Sequence, residues 1–165
     1  MLSFSQTTGY GVLACSCLDR CSDGWLLAKD IARCSGVPLP YLSKVLSGLS
    51  SCGIVRAKRG YRGGYRLARP GDEITLLEVV EAVAGQTWGS DCLLGLGACS
   101  DECPCPMHDF WSRRRSELER ELRAKTVRDV GKFSLTRFRI ADAAPQRGLP
   151  RSFETAQRIR EGVRR

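Results

Sequence analysis

The sequence predicts a mainly α-helical chain with one small β-hairpin, a winged helix-turn-helix domain plus a long dimerisation helix. Three observations carry this prediction. Apolar residues recur at helical spacing in four segments before residue 85. The stretch I-V-R-A-K-R-G-Y-R-G-G-Y-R-L, Ile54 to Leu67, switches to period two on either side of a glycine-rich turn. A cysteine-rich loop, Asp91 to Trp111, then separates these elements from a long charged helix.

Taken in order, residues 5 to 21 read as a first helix with Tyr10, Leu13, Ala14, Cys17, Leu18 and Cys21 as its apolar stripe. Cys17 and Cys21 lie one turn apart, and core filling explains them better than a metal pair. Asp23-Gly24 marks a turn. A second helix covers Leu27 to Cys34 and breaks at Ser35-Gly36. The third runs from about Pro38 to Ser51, since proline near a first turn is a start signal. Its residues Leu42, Val45, Leu46 and Leu49 form a buried stripe, and the opposite side shows Tyr41, Ser43, Lys44, Ser47 and Ser51. Two helices joined by a tight glycine turn, the second with a small polar face, have the shape of a helix-turn-helix.

The hairpin follows directly. Val55 and Ala57 alternate with Arg56 and Lys58, Tyr65 and Leu67 alternate with Arg66, and Gly60, Gly63 and Gly64 supply the turn. This is a wing, able to place Arg59 or Arg62 on phosphates or in a minor groove. Thr75-Leu76-Leu77-Glu78 is a capping box opening a helix that Gly85 ends. After the loop, Asp109 to Lys125 forms a long helix with Trp111, Leu118 and Leu122 on one face, suited to packing against a second copy or its own domain. Thr126 to Val130 adds one further turn. The divisions are therefore a DNA-binding domain at 1–86, a ligand loop at 87–108, a dimerisation region at 109–131 and a basic, largely disordered tail at 132–165.

Charge supports a polyanionic partner. The chain of 165 residues carries a formal net charge of +8. Residues 31–71 hold eight bases (Arg33, Lys44, Arg56, Lys58, Arg59, Arg62, Arg66 and Arg69) and no acid. An acid-free run of that length goes beyond an ordinary solvated face and points to double-stranded DNA. The first eighteen residues are uncharged, but Ser, Thr, Gln and Gly interrupt them, so neither a signal peptide nor a membrane span is read. A reducing cytoplasm is the default.

The loop carries the remaining chemistry. Four of the nine cysteines and the single histidine fall within it: Cys92, Cys99, Cys103, Cys105 and His108. Thiolates with imidazole suit zinc or an iron–sulfur cluster. Zinc knuckles usually show C-x-x-C pairs, and none occurs here; the gaps are six, three, one and two residues. A wide glycine-punctuated loop suits the four ligands of a two-iron cluster. Pro104 drives Cys103 toward extended backbone, so Cys103 and Cys105 point to opposite sides. Cys105 and His108 stand three apart and converge across one helical turn.

The order of elements, the wing R-G-Y-R-G-G-Y-R-L-A-R (Arg59 to Arg69), the T-L-L-E-V-V-E-A-V helix and the Cys loop together resemble the IscR-like (Rrf-two type) winged-helix regulators. The resemblance covers residues 1 to 131. It implies that Cys92, Cys99, Cys105 and His108 hold a [2Fe-2S] cluster. Family members with [4Fe-4S] clusters can use an acid of the first helix, and Thr8-Gly9-Tyr10 offers none here. Cys103 is an extra thiol beside the pattern. The resemblance further implies a homodimer on a palindromic operator, and the chain then reads as a repressor whose exposed third-helix residues Tyr41, Ser43, Lys44 and Ser47 face the major groove, with the wing on backbone or minor groove. Cluster occupancy would then report iron–sulfur, redox or nitric-oxide status. Two other readings remain at this stage: a zinc-stabilised protein that binds DNA constitutively, and a thiol redox enzyme using Cys103-Pro104-Cys105. Hydrolase chemistry finds no support with one histidine, and Gly95-Leu96-Gly97 follows no strand, so it is no dinucleotide fingerprint.

Overall fold

The computed structural model describes residues 5–21, 24–85 and 89–138. Helix α1 (Gln6–Asp19) starts at Ser5, whose hydroxyl accepts the Thr8 N–H at 3.2 Å. Helices α2 (Ala28–Ser35) and α3 (Leu39–Ser51) follow. Between them Gly36 takes φ 68°, the left-handed conformation that ends a helix at little cost only when Cβ is absent. Strands β1 (Val55–Lys58) and β2 (Gly64–Leu67) form an antiparallel hairpin with Val55 opposite Leu67 and Lys58 opposite Gly64. Helices α4 (Leu76–Ala84), α5 (His108–Ala124) and α6 (Val127–Phe138) complete the order. Among the described residues no helix is long and apolar enough to cross a membrane.

Helix α1 lies at the centre, packed against α2, α3, β2, α4 and α6. That position changes which of its residues are buried. The expected stripe included Leu13, which is 37% exposed, and omitted Cys15, which is fully buried. A helix covered from several sides has no single apolar face. Small residues, Thr8, Gly11, Ala14, Cys15 and Ser16, let its neighbours approach. Gly11 shows how closely: a Cβ there would come within 2.7 Å of the Val83 Cγ2 of α4.

The core joins Ala14 and Leu18 of α1 to Ile31 of α2, Leu42, Leu46 and Leu49 of α3, and Ile54, Val55, Ile74, Val79 and Val127. Cys17, expected as a core filler beside Cys21, belongs to it as one half of a disulfide with Cys34 that links α1 to α2, with Cα atoms 6.2 Å apart. The hairpin departs from strict alternation: Val55 is buried while Ala57 is exposed. Val55 enters the core, and Tyr65 and Leu67 of β2 pack against it. There Leu26 adds a strand-like rung, its N–H donating to the Tyr65 carbonyl at 2.9 Å and its carbonyl accepting the Tyr65 N–H at 2.8 Å.

The capping box of α4 is formed as expected. Thr75 Oγ1 accepts the Glu78 N–H at 3.2 Å, and Glu78 Oε2 accepts the Thr75 N–H at 2.8 Å. Burial raises the Glu78 carboxyl, but Arg69 and the Thr75 donors outweigh it and hold it below the usual carboxylate range. Helix α5 sets Leu122 against Leu77 and Val80 of α4, while Leu118 of the same expected face is 36% exposed. Helix α6 runs through Phe138, so the single turn expected at 126–130 is a longer helix and passes the boundary expected at 132. Thr126 and Asp129 cap it reciprocally at 3.0 and 3.3 Å. Arg128 donates to Asp19 of α1 at 3.2 Å and to Asp72 at 2.7 Å, holding α6 onto the central helix. The remainder of the tail expected to be disordered, from residue 139, lies outside the described residues.

The close approach of α1 to α4 gives a paired expectation. Gly9→Ala, where a new Cβ meets nothing within 4 Å, should stabilise by roughly 0.5–1 kcal/mol through helix propensity. Gly11→Ala should lose on the order of 1 kcal/mol net, because the stiff Val83 side chain must move. Chemical denaturation of both variants checks this; equal stabilisation by the two would contradict the packing.

Candidate functional site

Two regions carry side chains unneeded for the core. The first is basic. On α3, Tyr41, Ser43, Lys44 and Ser47 are all exposed, while Leu42, Val45, Leu46 and Leu49 are buried on the other side. Tyr41 leans on Tyr10 of α1, ring centroids 6.1 Å apart. Ser43 Oγ donates back to the Leu39 carbonyl at 3.1 Å. Beyond β1 the wing turns through Arg59 to Gly63, closed by the Gly63 N–H on the Gly60 carbonyl at 2.9 Å. Arg59 and Arg62 are exposed, and Arg62 adopts φ 58°, a conformation uncommon outside glycine.

Two aromatic residues here escaped the sequence reading. Tyr61, at the wing tip, is 90% exposed with the Arg62 guanidinium 5.6 Å from its ring. Trp25 carries Arg66 at 4.7 Å and Lys58 at 5.8 Å over its ring. It therefore holds two strand cations in place by cation–π attraction. Lone aromatics in turns generate no periodicity. The available signal was a tyrosine between glycine and arginine, and a tryptophan directly after a glycine.

The second region is the loop ahead of α5. Residues 90–99 fold back as a small lobe. Cys92 N–H donates to the Gly97 carbonyl at 2.8 Å and Cys99 N–H to the Ser90 carbonyl at 2.8 Å, around an Asp91–Ala98 bridge. Helix α5 pins the base of the lobe: Trp111 Nε1 donates to the Asp91 carbonyl at 3.0 Å and Arg115 to the Gly89 carbonyl at 2.9 Å. The chain then returns through Pro104 and Pro106, and His108 N–H bonds the Cys105 carbonyl at 2.9 Å at the start of α5. His108 thus opens the helix rather than closing the loop.

The four residues singled out from the sequence come together in pairs. Cys92 Sγ and Cys105 Sγ stand 3.4 Å apart. Cys99 Sγ stands 3.2 Å from His108 Nδ1. Cys92 and His108 are each 8% exposed, Cys99 and Cys105 are half-buried, and Cys103 is exposed. The proline-separated thiols therefore diverge, with Cys105 turned to Cys92 and Cys103 to solvent. The Leu94 N–H, then Cys105 and the Leu96 N–H, draw the Cys92 thiol below its ordinary range. At Cys105 the Met107 N–H favours the thiolate, but the Cys92 and Cys99 sulfurs outweigh it and raise that thiol. Asp101, which the sequence reading passed over, meets the other face of the imidazole: Oδ1 lies 2.8 Å from Nε2. Among the described residues, no group of three or more His, Cys, Asp or Glu side chains is arranged around one metal ion. Elsewhere, Cys15 is fully buried in the core and its thiol is pushed up to about 12, which leaves it inert as a nucleophile.

Known proteins resemble this chain over most of its length. A candidate HTH-type transcriptional regulator of Aquifex aeolicus (strain VF5) is 31% identical over 129 residues, 77% of this chain and 90% of that one. The HTH-type transcriptional regulator IscR of Vibrio campbellii is 30% identical over 139 residues, 82% of each chain. Among solved structures, CymR, the global cysteine regulator of B. subtilis, superposes with TM-score 0.64 at 26% identity over 81% of this chain and 98% of its own. T. potens IscR superposes with TM-score 0.63 at 25% identity, over 81% and 88%. These relatives are regulators of transcription rather than enzymes. The model of the Rrf2 family, described as iron-dependent transcriptional regulators, matches residues 4–132, and the chain belongs to that family.

Proposed function

We propose that this regulator is a cytoplasmic homodimeric repressor whose affinity for a palindromic operator is set by a [2Fe-2S] cluster on Cys92, Cys99, Cys105 and His108. The observation that carries the reading is the pairing of these donors, Cys92 with Cys105 and Cys99 with His108. A two-iron cluster divides four protein ligands two per iron, whereas a single zinc ion needs all four around one point. Two thiols on a glycine-rich lobe, each facing one donor from the segment that opens α5, fit the first demand. Bound there, the cluster would supply reversible one-electron chemistry and sensitivity to oxidants and nitric oxide.

The chain's own residues would convert occupancy into a change of DNA affinity. His108 is the first residue of α5, and Trp111 and Arg115 tie the lobe to the same helix. Further along, Leu122 rests on Leu77 and Val80 of α4, which packs on α1, which in turn packs on α3. A displacement of the start of α5 therefore has a packed route toward the helix bearing Tyr41, Ser43, Lys44 and Ser47. These four would meet base edges in the major groove, and Arg59 and Arg62 the backbone or minor groove. Helix α5, with Phe110 and Leu118 exposed, would supply the dimer contact and set the spacing of the two reading heads.

Protein purified without oxygen should be reddish-brown, with iron and acid-labile sulfide each near two per chain, by the stoichiometry of a two-iron cluster. Zinc without sulfide would refute the cluster. Cys105→Ser should lose the colour and Cys103→Ser keep it; the reverse result would overturn the ligand set.

DNA binding should weaken steeply as salt rises, because lysines and arginines release counterions from phosphate. Arg59→Ala should cost on the order of tenfold in affinity at fixed salt, about 1.4 kcal/mol. Replacing Ser43 or Lys44 should instead change which operator sequence is preferred. Fluorescence anisotropy over a salt series measures both, and an Arg59→Ala variant that binds like the parent would remove the wing from the interface.

A further inference from the structure

We propose that Asp101 is a positioning residue for the cluster: it accepts the Nε2–H of His108, presents Nδ1 as the ligand nitrogen, and makes that imidazole a stronger donor. The inference rests on the cluster reading above and concerns a residue outside its ligand set.

An imidazole that binds a metal through one nitrogen must place the N–H of the other. When that N–H meets a carboxylate, tautomer and ring orientation are both selected and the ligand becomes more basic. The two ring nitrogens of His108 face different chemistry. Nδ1 looks at the Cys99 sulfur at 3.2 Å, the side where the thiol donors gather. Nε2 looks away, at Asp101 Oδ1, 2.8 Å distant. The His108 side chain is only 10% exposed while that of Asp101 is 99% exposed. The carboxylate thus caps the imidazole from the solvent side and adds nothing to the core.

Exposure also defines what Asp101 does not do. A solvent-facing pair of this kind contributes little to folding. Its effect falls on the ligand. A negative charge hydrogen-bonded to the imidazole opposes addition of an electron to the attached iron, so it holds the reduction potential down. Glu102, the next residue, is an exposed carboxylate on the same loop, and it serves as the control for a general charge effect.

The experiment uses the full-length untagged protein, loaded anaerobically. Asp101→Asn, Asp101→Ala and Glu102→Gln are compared with the parent by redox titration followed in the visible spectrum. Pulsed EPR of the reduced state reads the coupling to the histidine nitrogen, and the chain's single histidine makes that signal unambiguous. Asp101→Asn and Asp101→Ala should both raise the potential, so that the reduced fraction at a fixed potential increases severalfold, and Asp101→Ala should alter the nitrogen coupling. Thermal midpoints and the Glu102→Gln potential should stay at parent values. If Asp101→Ala comes out colourless but folded, the Asn variant carries the same measurement. Potentials and nitrogen coupling unchanged in both Asp101 variants, or shifted equally by Glu102→Gln, would overturn the role of Asp101 and leave the cluster standing. A parent that takes up no iron and sulfide would overturn both.

Discussion

Packing around α1 is the constraint on which the rest of the molecule depends. Ala14 and Cys15 are fully buried, Cys17 and Leu18 nearly so, and a Cβ on Gly11 would collide with α4. Small residues along one helix let α2, α3, α4 and α6 all approach it, and close-packed interiors transmit displacement rather than absorb it. The polar contacts at the end of α1 extend the same role. Asp19 accepts from Arg128 of α6 and from the Gly71 N–H beyond the wing. The helix-turn-helix, the wing base and the C-terminal helices are thereby referred to one element.

The cysteine loop has no core of its own and borrows its shape from that frame. Gly95 and Gly97 take positive φ, which folds the lobe so that Cys92 and Cys99 lie near its two ends. Trp111 and Arg115 anchor the start of the lobe, at Asp91 and Gly89, to α5, and the first turn of α5 sets His108 beside Cys99. Four donors spread over seventeen positions thus meet because a helix start and a pinned lobe face each other. Few apolar contacts hold the loop, which is the condition under which a bound group can dominate local order.

Electrostatics separates the two functional regions along the chain. The acid-free stretch 31–71 supplies α3 and the wing, while most acids lie in residues 72–131 beside the loop and α5. A cationic reading surface attracts phosphate at long range. In the loop the single described carboxylate contact of the imidazole is that of Asp101 with His108. Trp25 holds Arg66 and Lys58 of this basic stretch over its ring, which restricts the freedom of both cations.

Periodicity made the helices, the hairpin and the Thr75–Glu78 cap legible from sequence, because each is written in neighbouring residues. Residue type marked Cys92, Cys99, Cys103, Cys105 and His108 as one ligand-rich loop, and the family resemblance, together with the proline between the two thiols, set Cys103 apart from the other four. What depends on several elements meeting was not legible. The burial of Cys15 and exposure of Leu13 follow from α1 being surrounded, which its own pattern cannot record. The Cys17–Cys34 bond, the Trp25 contacts and the Asp101–His108 contact each join residues with no common period. The sequence by itself determined the elements and the chemistry available to them. Only the tertiary structure decided which donors pair, which helix is enclosed and which carboxylate meets the imidazole, because those outcomes depend on distances set by packing rather than by order along the chain.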